Sequence, residues 1–205
     1  MLGTDGIRSL IAAALLQPVF RVGSGDFSKF PEIVWEHTYR SAAATEVHAA
    51  IVENADPFAA QLVALVTGLA TIVVFRVAMD QYAAQDTLRP DATTIAGLLN
   101  DHTPDVARRI ASSWALSERI LEALEDQLPG RPAPQSALGR SLRFGRVVGA
   151  LTVLDANKVL DEDTGLATLA AAGGTGPRFE RMWSRFTGRP VKDERPRPAP
   201  ELAGR

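Results

Sequence analysis

Apolar and polar positions repeat at helical spacing along nearly the whole chain. The period-2 alternation of a half-buried strand is almost missing, and Ala, Leu, Glu and Arg fill the stretches between prolines and glycines. A first helix is expected from about Gly3 to Leu16, stopping at Gln17–Pro18. After the loop RVGSGDFSKF, Pro31 falls in the first turn of a second helix that reaches about Asn54. Val34, Thr38, Ser41, Thr45, His48 and Val52 share roughly one side of it, and their small neighbours let another helix come close. Asp56–Pro57 reads as a cap followed by a helix start. The very apolar helix that follows runs to about Ala84, with a break or bend expected near Gly68.

Further along, a short helix is expected from Asp91 and a separate one from Thr103–Pro104 to Trp114. Ser117 is expected to cap SERILEALEDQL, whose Glu118 and Glu122 suit the helix dipole. The Pro-rich LPGRPAPQSALG reads as a connector. Arg140 to Leu160 is an amphipathic helix expected to bury Phe144, Val147, Val148, Leu151 and Leu154. Short helices in DEDTGLATLAAAGG and PRFERMWSRF complete the pattern. The fold class is therefore all-α, a multi-helix bundle over residues 1–186. Residues 187–205 are a Pro- and charge-rich tail expected to be disordered.

Composition narrows the chemistry. The 205 residues suit one domain of ordinary size, and 46% apolar content is enough for a sizeable core. A net charge of -2 argues against nucleic acid as a partner. There is no cysteine, hence no disulfide, thiol nucleophile or Cys-ligated zinc. No basic n-region precedes the N-terminal apolar run, so no secretory signal is read there. Phe58 to Phe75 is uncharged and meets the length of about 18 residues at which a membrane span is considered. No basic cluster flanks it to set an orientation, and a buried core helix of a cytoplasmic protein is the preferred reading.

Motifs for phosphate loops, dinucleotides and nucleophile elbows are absent. AAGGTGPRF follows a helix and reads as a cap and loop. Asp161, Glu162 and Asp163 lack the ligand alternation of a calcium loop. Of the three histidines, His48 reads as a packing residue. His37 and His102 are weak metal candidates, since such a site needs three or four converging ligands. No catalytic or cofactor-binding residue is assigned.

The order of the pieces carries more. WEHTYRSAAATEV precedes an apolar helix entered through DPFAAQLVAL; HTPDVARRIASSWALSERILEAL follows a Pro-bearing loop, and then comes the amphipathic helix. From about Leu2 to Leu160 this resembles the HDOD domain, the HD-related output domain of bacterial signalling proteins, within the HD superfamily. His37 matches the histidine of the family's W-x-H-S. His102, Ile110, Trp114 and Leu116 are similar to its His-led signature ending in W-x-L, with Ala107 or a neighbour as the small residue. Catalytic HD relatives hold a divalent metal through an adjacent His-Asp pair, which activates water for attack on phosphorus. At the matching place this chain has Thr67–Gly68.

The resemblance therefore implies a non-catalytic regulatory domain without cofactor or metal, in which His37 and His102 are remnants. It implies action through another signalling protein or through self-association, with neither nucleic acid nor membrane as partner. The segment MLGTDGIRSLI resembles the family's L-G-x-x-x-L-R-x-L, and the apolar face Ile7, Leu10, Ile11, Leu15 and Val19 is a candidate contact surface. The alternatives are a metal-dependent phosphohydrolase with rearranged ligands, drawing on His37, His102 and carboxylates such as Asp101 or Asp105, and a membrane protein anchored by Phe58 to Phe75.

Overall fold

A computed structural model describes residues 27–168, apart from residues 86, 134–135, 161–163 and 166. The expected first helix with its apolar face, the Asp161–Asp163 cluster, AAGGTGPRF, PRFERMWSRF and the tail at 187–205 lie outside the described residues. The described fold is all-α, with no strand among those residues. It comprises α1 (Phe30–His48) with a π-helical turn (Ala49–Glu53), α2 (Pro57–Ala83), α3 (Ala92–Ser113), α4 (Glu118–Glu125) and α5 (Ala137–Ala156).

Helix α1 starts with Pro31 in its first turn, where the missing N–H has no intrahelical partner to lose. Its Val34, Thr38, Ser41, Thr45 and His48 are buried, the stripe expected from their spacing. Val52, expected on the same side, is exposed. The cause is the π-helical turn, whose wider winding shifts the phase of the last residues. That turn ends at Asn54 in the left-handed region (φ 49°), and Ala55 N–H donates to Ala49 O at 2.8 Å.

The Asp56 carboxylate accepts from Phe58 N–H (3.0 Å) and Ala59 N–H (3.2 Å) and so starts α2. The helix then runs unbroken through Gly68, where a bend was expected. By length and composition it is the one described helix able to cross a membrane. Inside the bundle most of its apolar stretch is covered, because α1, α3, α4 and α5 all pack on it. Apolar residues on every side are what such a central position requires. Phe30 stacks on Phe75 at its C-terminal half, ring centroids 4.1 Å apart.

Helix α3 corrects the expectation of two helices. Asp91 caps it through Thr93 N–H (2.9 Å) and Thr94 N–H (3.1 Å), and it continues through Pro104 as one element. A proline inside a helix removes one hydrogen bond and crowds the carbonyl four residues back. Tertiary packing outweighs that cost here, since Thr103, Pro104, Ala107 and Ala111 are all buried against the bundle. Ser117 occupies the cap position of α4 but its hydroxyl makes no capping bond. In α5, Ser136 Oγ accepts from Gly139 N–H at 3.0 Å. Phe144, Val148 and Leu151 are buried as expected, Val147 is partly buried, and Leu154 is exposed.

Candidate functional site

Helices α1 and α5 lie close because α5 offers glycines where α1 arrives. A Cβ on Gly145 would fall 2.7 Å from Ser41 O and 2.8 Å from Thr45 N; one on Gly149 would fall 3.0 Å from His37 O and from Ser41 N. Two glycines four residues apart on one face thus admit the α1 backbone. Between them stands Arg146. The carbonyl of that residue accepts from His37 Nε2–H at 3.2 Å, and Ser41 Oγ lies 3.3 Å from the same nitrogen. A carbonyl can only accept, so the hydrogen must sit on Nε2. Burial pushes the His37 imidazole below its ordinary pKa, partly offset by that bond, and the Arg146 charge lowers it further.

On its other side α1 meets α2 at Gly68. A Cβ there would fall 2.7 Å from Thr38 Cβ and closer still to the rest of that side chain. Gly68 therefore makes room for the Thr38 side chain of α1. Its neighbour Thr67 donates to Val63 O (2.9 Å), and Thr38 donates to Val34 O (2.7 Å).

These residues surround a cavity of about 300 Å³, bounded by His37, Thr38 and Ser41 of α1, Thr67, Gly68 and Thr71 of α2, Asn100 and Thr103 of α3, and Arg146 of α5. Thr103 is buried, and its Oγ1 has no hydrogen-bond partner among the described residues. Arg146 is partly buried, and burial alone pulls its guanidinium below the ordinary pKa. No carboxylate pairs with it among the described residues. The site is cationic and rich in hydroxyls.

His102 is elsewhere. It is exposed on α3 and lines a second, larger groove of about 780 Å³ between the C-terminal half of α2 and α3. The groove is mainly apolar, with Val73, Val77, Leu88, Leu98 and Val106 among its lining. Asp105 also lines it and is engaged by Arg109 Nε at 2.7 Å. His37 and His102 thus face different cavities. His48, the third histidine, is a packing residue: its ring stacks on Phe144 with centroids 4.4 Å apart, and Nδ1 lies 3.0 Å from Ser141 Oγ.

A family model for the HDOD domain matches residues 1–128. The chain belongs to the HDOD domain family. The match spans α1 to α4, and α5 lies beyond it. No curated protein and no solved structure matches the chain.

The metal of hydrolytic HD relatives does not fit this HDOD domain. Gly68 has neither a donor nor room for one, the neutral hydroxyl of Thr67 is a poor ligand for a divalent ion, and the Nε2–H of His37 is donated to α5. A guanidinium in the same cavity opposes a divalent cation electrostatically. Among the described residues no three of His, Asp and Glu converge. The residues missed from sequence are Gly145, Arg146 and Gly149. Their signal was present as GRVVG, a small-x-x-x-small step with a cation beside it, inside a helix read only for its apolar face.

Proposed function

We propose that this HDOD domain is a non-catalytic regulatory module of the cytoplasm that acts by binding another protein. The observation that carries the reading is the contact of Gly68 with Thr38. It fills the space into which a metal-binding carboxylate would project, which supports the non-catalytic reading. The apolar groove between α2 and α3 supplies a surface suited to an amphipathic helix of a partner, with Val77 and Leu88 both exposed on it. Self-association through the same groove is the other outcome.

Two measurements test this. Purified protein is assayed with Mn²⁺, Mg²⁺ and Co²⁺ against phosphomonoesters and phosphodiesters, and no turnover is expected. Turnover that disappears in His37→Ala overturns the reading. In parallel, partner capture with mass identification and sedimentation analysis are run on the native chain and on Val77→Asp. The substitution is expected to abolish association while leaving the helical circular dichroism intact; association indifferent to it removes the groove from the account.

A further inference from the structure

Three features of the cavity between α1, α2, α3 and α5 point away from a cation and toward an anion. Arg146 lines it and brings a charged group with several donors, and among the described residues no acid pairs with that charge. Holding an unpaired guanidinium out of water is costly unless something of opposite charge meets it. Thr103 is 4% exposed and its hydroxyl is unpartnered, a second donor held without an acceptor. Among the described residues no Asp or Glu lines the cavity.

The opposite wall asks for something different. Thr38, Thr67 and Thr71 each donate their hydroxyl hydrogen to a helix carbonyl, at 2.7, 2.9 and 3.0 Å. The oxygens of these lining residues therefore have only lone pairs left to offer. An occupant must accept from Arg146 and Thr103 and donate to the threonines of α1 and α2. Hydrogen phosphate does both, whereas sulfate has no hydrogen to donate at neutral pH. The volume of about 300 Å³ lies at the lower end of small-ligand sites and exceeds what a bare phosphate needs.

We infer that this cavity binds a small oxyanion that also carries hydroxyl hydrogens, either hydrogen phosphate or a small hydroxylated phosphomonoester, and binds it without turning it over. The site is independent of the apolar groove. Its charged residue comes from α5, beyond the stretch matched by the HDOD family model.

The full chain is titrated calorimetrically, and its thermal midpoint followed, with inorganic phosphate, glycerol 3-phosphate and sulfate at constant ionic strength. One phosphate per chain and a raised midpoint are expected, with sulfate at least about tenfold weaker for want of a donor. In Arg146→Gln the binding falls by about tenfold or more, since charge-assisted bonds are lost. Because the charge is a burden without its ligand, the ligand-free midpoint of that variant should not drop. Thr103→Val, which keeps the shape, loses about three- to tenfold and serves if Arg146→Gln does not fold. Tighter binding of glycerol 3-phosphate than phosphate assigns an organic ligand, and the reverse assigns phosphate itself. No phosphate response, an equal response in the variants, or sulfate binding as well as phosphate each overturns the inference.

Discussion

Gly145 and Gly97 are both helical glycines, yet their surroundings assign them opposite roles. A methyl on Gly145 meets the α1 backbone, whereas one on Gly97 meets nothing within 4 Å. Gly145→Ala is expected to cost about 1–3 kcal/mol through overpacking, and Gly97→Ala to add up to about 1 kcal/mol through helix propensity. Urea titration of the two variants checks the contrast, and equal signs would contradict the α1–α5 seam. The buried histidines make a second residue-scale prediction. His37 is depressed by burial, eased by the Arg146 carbonyl and opposed by the Arg146 charge; His48 is depressed by burial, raised by Glu53 and lowered by Arg140. Below the ordinary histidine pKa of about 6.5 the unfolded chain takes protons that the folded chain refuses. Stability should be complete above that value and decline from pH 7.5 to pH 5, by at most about 1.4 kcal/mol per pH unit for each histidine. Glu53, depressed by its bond to Arg140, acts only lower, below about pH 4.3. Urea midpoints across this range should fall less steeply in His37→Gln.

Among the elements, those whose ends carry local chemistry were legible in the sequence. Pro31, Asp56–Pro57 and Asp91 mark helix starts by rules that involve a few neighbouring residues, and the structure has helices beginning at each of them. The apolar composition of α2 likewise announced a helix mostly covered by its neighbours. Local rules failed where distant packing decided the outcome. Pro104 reads as a start in isolation, but burial of its neighbours carries α3 straight through it. Gly68 reads as a weak point, but it is a contact made by a residue thirty positions earlier, Thr38. The candidate site suffered most from this. His37 was visible by resemblance, while its bond to a carbonyl 109 residues away was not. His102 looked like its counterpart, yet it stands one residue from Thr103 and so faces another cavity.

At the scale of the molecule, α5 binds the bundle together although the family match stops before it. It closes the Arg146 cavity, covers the small-residue face of α1, and ties the π-helical turn through Arg140 Nε–H donating to Glu53 at 3.0 Å. A chain ending at residue 128 should therefore lose cooperative thermal unfolding and bind a hydrophobic dye, while the chain through α5 does neither; a cooperative transition in the shorter chain would show that α1 needs no such cover. The same arrangement sets an order of events in the cell. His48 and Ser141, which meet in the finished bundle, are 93 residues apart in the chain. At about 5–20 residues per second of synthesis, α1 leaves the ribosome roughly 5–20 seconds ahead of the helix that shields it. For that interval its Ser-, Thr- and Ala-lined flank is bare.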